Sequence, residues 1–218
     1  MGRGGIVSDS VSIVINAAGI GSRLGLNIPK SLVSILDRPL IDWQFSIIPS
    51  DVEVIVVVGF KGRELADVVK ILRPDAAIVI NHNYNQTKTA GSFKLGAKFG
   101  GNRLVSLDGD FLTTEATLEK FIYSDSNLLG LTQVNSVTPV YAEVSRNNVI
   151  NFSYEVKSSF EWTGLANLSR DLSLDLGEQH MFQGIKKFLP INFVEIDCME
   201  IDEISDLQRM EKWIQENF

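Results

Sequence analysis

The feature that most constrains this chain is an apolar strand running straight into a glycine-rich turn. Val11–Ala17 reads Val-Ser-Ile-Val-Ile-Asn-Ala, short and rich in valine and isoleucine, the pattern of a buried strand. Ala18-Gly19-Ile20-Gly21-Ser22-Arg23-Leu24-Gly25 follows, and then Pro29-Lys30-Ser31-Leu32. Glycines let backbone pass close to a ligand with no Cβ in the way. Successive N–H groups in such a turn form an anion-binding concavity, and Arg23 and Lys30 add side-chain charge for the same anion. Two familiar glycine loops fit poorly. A dinucleotide fold opens its glycines directly into a helix, whereas Asn27-Ile28-Pro29 interrupts one here. A P-loop sets lysine directly after glycine, whereas Lys30 follows proline. A tight turn with surface cations is the bland alternative; strand, glycines, arginine and Pro-Lys together favour a bound phosphate.

The rest of the first half alternates strand and helix. Strands are expected at Glu53–Val58, Ala76–Ile80 and Arg103–Leu107, with helices at Leu40–Ile48, Arg63–Leu72, Ser92–Phe99 and Thr114–Tyr123. Such alternation predicts a mainly parallel sheet. After Tyr123 the pattern shifts to short strands, Leu128–Val134, Val140–Ser145, Val149–Tyr154 and part of Ser159–Leu168, joined by turns; this reads as antiparallel or mixed. A helix over Leu176–Phe188, an extended run Ile191–Ile201 and an amphipathic helix Ile204–Phe218 complete the reading. With no repeat or linker, residues 11–218 are expected to form one domain and residues 1–10 a loose tail.

Bulk properties narrow the function. A chain of 218 residues, 44% hydrophobic and 22% charged, can bury a substantial core. A formal charge of −7 disfavours a nucleic-acid binder, though local cations and a metal would still admit a nucleotide. The single cysteine, Cys198, excludes an internal disulfide and fits a cytoplasmic setting. No apolar run is long enough for a signal core or a membrane span. His82 and His180 form no recognisable dyad with Cys198 or a serine.

Ala17-Ala18-Gly19-Ile20-Gly21-Ser22-Arg23 followed by Pro29-Lys30-Ser31-Leu32 resembles the signature of the nucleotidyltransferases that activate sugar phosphates and phospho-alcohols. The resemblance covers most of the chain and is strongest over residues 13–43. It implies a GT-A-like α/β fold, a single three-layer αβα domain with a mixed, mostly parallel central sheet. It further implies that Ala17, Ala18, Gly19, Gly21 and Ser22 wrap an NTP while Arg23 and Lys30 contact its phosphates as catalytic cations. The segment Asn81–Ser92, with Thr87, Thr89, Ala90, Gly91 and Ser92 as candidates, matches the family's base-reading segment. It looks more like the phosphocholine and phosphonate cytidylyltransferases than the hexose enzymes, so CTP is the favoured donor. A polar connector capping a helix at Ser92 is the alternative.

Asp108-Gly109-Asp110 ends the fourth strand, where α/β sheets bind ligands, and carboxylates there can hold Mg²⁺ against substrate phosphates. An Asp-Gly turn is the plainer reading. In the resembled family the Glu200-Ile201-Asp202 element supplies a second metal carboxylate, so Asp110 and Asp202 are the expected Mg²⁺ ligands and Asp108 a further nucleotide contact. Asp202 also reads as a helix N-cap, and Glu195-Ile196-Asp197 repeats the tripeptide. By resemblance Lys157 meets the acceptor phosphate, and Glu161 and Trp162 line the acceptor pocket; a core tryptophan beside a surface glutamate is the alternative. The implied partners are an NTP and a small phosphorylated acceptor, with no nucleic acid and no membrane, and a homo-oligomer is left open. A GT-A glycosyltransferase and a nucleotide-sensing module are the rival readings.

Overall fold

A computed structural model describes residues 10–218. The expected tail therefore lies outside the described residues except for Ser10, whose carbonyl accepts the Arg103 N–H at 3.2 Å. In chain order the elements are β1 (Val11–Ala17), β2 (Ser34–Ile35), β3 (Arg38–Pro39), α1 (Leu40–Ser46), β4 (Glu53–Val58), α2 (Gly62–Leu72) and β5 (Ala77–Ile80). Then come α3 (Thr89–Ala97), β6 (Arg103–Asp108), β7 (Phe111–Thr113), α4 (Glu115–Ile122), β8 (Leu128–Gln133), β9 (Tyr141–Ser145) and β10 (Asn148–Ser153). The chain closes with β11 (Phe160–Ser169), α5 (Arg170–Asp175), α6 (Met181–Ile185), β12 (Ile191–Glu195), β13 (Cys198–Glu200) and α7 (Ile204–Asn217).

Nine strands form one sheet in the order β5-β4-β1-β6-β11-β8-β12-β10-β9. Parallel pairing joins β5, β4, β1 and β6 and recurs between β8 and β12. The remaining pairings are antiparallel, so the sheet is mixed and the parallel expectation holds for its first half. β1 alternates strictly: Ile13, Ile15 and Ala17 enter the core under α1, α2, α4 and α7, and Val14 enters the core under α3, α5 and α6. Burial on both faces is why this strand is apolar almost throughout. The same alternation in β4 divides Val54, Val56 and Val58 from Ile55 and Val57. Two helical layers thus sandwich the sheet. No helix among the described residues is long and apolar enough to cross a membrane.

Three expected elements differ. Of the helix expected over Leu176–Phe188, only α6 (Met181–Ile185) and a 3₁₀ turn over Lys186–Phe188 form, while α5 (Arg170–Asp175) lies before it, where no helix was expected. The stretch between α5 and α6 gives its Glu178 and Gln179 carbonyls to the Lys88 and Ala90 N–H groups at 2.8 and 3.0 Å, so long-range bonds replace helical ones there. The extended run Ile191–Ile201 breaks after Glu195: β12 stays in the main sheet, while β13 leaves it to pair antiparallel with β7. The third is α3, which begins at Thr89, three residues before the expected start.

Candidate active site

β1 and β6 pair side by side, with Asn16 opposite Asp108, so their C-terminal ends deliver the glycine loop and the Asp108-Gly109-Asp110 turn to one sheet edge. Gly21 (φ +62°) and Gly25 (φ +67°) bracket a single 3₁₀ turn, Ser22–Leu24. Leu24 is buried and pins the loop to the core. A Cβ on Gly21 would lie 2.8 Å from Lys30 Cγ, so glycine there lets the lysine stem pass under the loop. Pro29 precedes a second 3₁₀ turn that starts at Lys30.

The acidic turn is fastened on every side. Gly109 N–H donates to Asn16 C=O at 3.0 Å, and Ser31 Oγ donates to Gly109 C=O at 2.7 Å. From α1 below, the buried Gln44 amide donates to the carbonyls of Asp108 and Phe111 at 2.8 and 2.7 Å. A Cβ on Gly109 would come within 2.6 Å of Ser31 Oγ and 2.9 Å of Ala17 Cβ. Only glycine allows the two loops to touch.

Asp202 arrives by a different route. Glu200 on β13 pairs with Phe111 on β7, and Ile201 N–H donates to Asp110 C=O at 3.0 Å. The next residue therefore lies beside Asp110. Lys30 Nζ sits between the two carboxylates, 2.6 Å from Asp110 Oδ2 and 2.7 Å from Asp202 Oδ1. Arg23 reaches the same Asp202 oxygen at 2.8 Å. Asp202 does not cap α7: the N-cap is Glu203, and Asp206 in the first turn reaches back so that its Oδ2 accepts the N–H groups of Asp202 and Glu203 at 2.9 Å. Asp197, in the repeated tripeptide, accepts from the Trp213 indole at 3.0 Å.

Four carboxylates, Asp108, Asp110, Glu200 and Asp202, thus crowd around Lys30 and Arg23. Burial alone would lower the Lys30 pKa, but the charge of Asp110 and the hydrogen bonds to Asp110 and Asp202 outweigh it and raise the pKa. Burial, then the charge of Asp110, push the Asp108 carboxyl up to about 7, against the lowering pull of the Asn16 amide and Lys30. Burial, then the charges of Asp110, Asp108 and Asp202, push Glu200 well above the usual carboxylate range. Glu200 still presents solvent-accessible surface and lines the cleft.

This arrangement fixes a pH dependence. A carboxyl raised on folding from 3.8 to about 7 binds its proton more tightly in the folded chain. Unliganded stability therefore falls as pH rises from about 4 to about 7 and stays lowered above that. Asp108→Asn removes the loss. Melting followed by circular dichroism in chelator should show a Tm ~2–5 °C above wild type near about pH 8, with the gap closing toward about pH 4.

The cleft above this centre has two lobes, of about 380 and about 440 Å³, that share Arg23, Thr89, Asp108 and His180 in their linings. The first lobe takes in Ala17 at the end of β1, Ala18, Gly19, Gly21 and Ser22 from the loop, Thr87 just before α3, and Thr89 and Ser92 from its start. Ala90 and Gly91, expected with them, do not line it. The helix turns Ala90 into the core, fully buried, and packs Gly91 against Thr87 and the Glu178 backbone. Tyr84, Lys88 and His180 line this lobe instead. Burial, then the Lys88 charge, hold His180 below the usual histidine range. Its place opposite the glycine loop has no local sequence signal, because it depends on the 176–180 connection docking onto 88–90.

The second lobe is lined by Trp162, Thr163 and Gly164 of β11, by the 135–140 connection, and by Glu200, Asp202 and Arg209. Trp162 packs edge-on to Phe152 at 5.5 Å. Lys157, expected at an acceptor phosphate, is exposed and outside both lobes. The Ser153 hydroxyl accepts the N–H groups of Glu155 and Val156 at 3.0 Å, which turns the chain away and leaves Tyr154 at the lobe. Glu161 is 5% exposed and both its oxygens are bonded to the 135–136 backbone and the Ser136 hydroxyl; it is not a free contact for a ligand. Arg209, in the Asp206-Leu207-Gln208-Arg209 run, stands there together with Arg23.

The donor set suits a hard divalent cation. Among the described residues no group of three or more His, Cys, Asp or Glu side chains forms a complete cage. Mg²⁺, however, is held by one or two carboxylates together with phosphates and water. Asp110 and Asp202 offer two carboxylates already converging on one positive charge, beside Asp108 and Glu200, which burial and then neighbouring negative charge raise.

No protein-family model matches the chain, and no curated protein matches it by sequence. Solved structures do. The inositol-1-phosphate CTP transferase from T. maritima superposes with a TM-score of 0.82 at 17% identity over 95% of this chain and 96% of that one. The CTP:phosphocholine cytidylyltransferase from Streptococcus pneumoniae gives 0.75 at 18%, over 94% and 99%. A putative glucose-1-phosphate thymidylyltransferase from Bacillus anthracis gives 0.77 at 19%, over 96% and 97%. The chain has the fold of these nucleotidyltransferases along almost its whole length.

Proposed function

We propose that this chain is a nucleotidyltransferase coupling an NTP, with CTP favoured, to a small molecule bearing a phosphate or phosphonate, with release of pyrophosphate. One observation carries the reading: Arg23 and Lys30 from the glycine loop meet Asp110 and Asp202 at a single point in the cleft floor. The likeness to two CTP-using enzymes supports CTP, as does the character of the Asn81–Ser92 segment. The nucleotide occupies the lobe under the glycine loop, and the acceptor occupies the lobe bounded by β11.

In the reaction an ionised acceptor oxygen forms a bond to the α-phosphorus, the bond to the bridging oxygen breaks, and pyrophosphate departs with that electron pair. The nucleophile is already ionised near neutrality, so no side chain need remove a proton. Arg23 and Lys30 stabilise charge developing on the phosphates; with Lys157 turned away, Arg209 and Arg23 are the cations that line the acceptor lobe. Mg²⁺ held by Asp110 and Asp202 would supply charge neutralisation on the phosphates. The loops align the two substrates, which by itself is worth a large share of the barrier.

The test is pyrophosphate release across the four NTPs and a set of acceptors: phosphocholine, aminoethylphosphonate, inositol phosphate, glycerol phosphate and hexose 1-phosphates. CTP with a phospho-alcohol or phosphonate is expected to give the highest kcat/KM. Nucleotide binding without pyrophosphate from any pair, or release of a nucleoside diphosphate from a nucleotide sugar, overturns the proposal.

A further inference from the structure

The connection from β8 to β9, residues 134–140, bridges across β11, which pairs with β8 on one side and β9 on the other. It is anchored at its ends: Val134 N–H donates to Ser159 C=O at 3.1 Å, and Trp162 N–H to Val140 C=O at 2.9 Å. Between these anchors residues 135–138 are exposed, and Val137 at the tip keeps 95% of its surface. One side chain fastens this span. Glu161 Oε1 accepts the N–H groups of Asn135 and Ser136 at 2.9 and 3.1 Å, and Oε2 accepts the Ser136 hydroxyl. A buried carboxylate needs such donors to offset its lost hydration, and an exposed loop needs such an anchor to offset its ordering entropy.

The span lines the second lobe and contributes nothing to the lining of the nucleotide lobe. We infer that Glu161 is a positioning residue that holds the 134–140 connection as a wall of the acceptor lobe, and so sets affinity for the acceptor and not for the nucleotide. The inference rests on the proposed nucleotidyl transfer. With both oxygens engaged, Glu161 acts on the acceptor through the loop that carries Val137 and Thr138.

Glu161→Ala is expected to raise the acceptor KM about tenfold or more while the nucleotide KM stays within about twofold. Amide hydrogen exchange at 135–138 should quicken in the same variant. Glu161→Gln keeps an oxygen for the two N–H groups and an amide that can donate to Ser136 Oγ, so it should restore the acceptor KM to within about threefold of wild type. Ser136→Ala removes the hydroxyl bond alone and should fall between; it decides the matter should Glu161→Ala not fold. Both KM values rising together, or neither rising, overturns this role and leaves the proposed function standing. A wild-type protein that releases no pyrophosphate with any acceptor overturns both.

Discussion

Lys30→Ala is expected to lower pyrophosphate release by about 10²–10⁴-fold. Its ammonium bonds Asp110 and Asp202 together, and no other side chain among the described residues does so. It is also well shielded, with 14% of its side chain exposed against 59% for Arg23, so its charge is the less screened of the two. Removing it withdraws charge from the transferring phosphate and leaves Asp108, Asp110, Glu200 and Asp202 facing one another with Arg23 paired to Asp202 alone among the described residues. The unliganded protein should therefore lose about 1–3 kcal/mol as well, read as a lower Tm. Lys30→Arg tells charge from shape. The stem runs beneath Gly21, where even one added carbon would be 2.8 Å from Lys30 Cγ, so a broad guanidinium should recover stability but little turnover. Turnover near wild type in Lys30→Ala, with the fold intact, removes this lysine from the reaction.

Asp110→Asn should leave stability near that of wild type and lower turnover by a similar amount. It deletes one charge from the crowded cluster, easing the repulsion that adds to burial in raising Asp108 and Glu200, while Lys30 keeps Asp202 as a partner. Unliganded stability should stay within about 1 kcal/mol of wild type. The neutral amide is a poor ligand for a hard cation, so pyrophosphate release should fall about 10²–10³-fold and the Mg²⁺ concentration for half-maximal rate should rise. Titrating MgCl₂ against both proteins measures this directly. An unchanged Mg²⁺ requirement in Asp110→Asn would show that this carboxylate does not hold the cation. The pair of variants separates two explanations of inactivity, because a collapsed site loses stability in both and a chemical role loses it in only one.

Much of the site was legible as local chemistry. The run from Val11 to Lys30 declares a buried strand, left-handed turns at glycines and two cations, and each property belongs to neighbours in sequence. Asp108 and Asp110 could be placed because β6 is an apolar strand that must end where its polar residues begin. The misplacements at Ala90, Gly91 and Lys157 share a cause. Each lies in a segment whose residue types fit a ligand, while its orientation is set by backbone hydrogen bonding: long-range bonds to the 178–179 carbonyls for the first two, and the local Ser153 turn for the third. Glu161 was read as a contact for the acceptor, but its carboxylate is taken up by a loop some 25 positions away.

The amino-acid sequence by itself determined the strand, the bare loop and the cations that a polyphosphate requires, since backbone freedom and side-chain charge are properties of the residues that carry them. Only the tertiary structure decided that Asp202 lies 2.7 Å from Lys30 across 172 positions of chain. That meeting depends on the β7–β13 ribbon, whose backbone hydrogen bonds carry no residue identity, and register of this kind becomes visible only once both strands are in place.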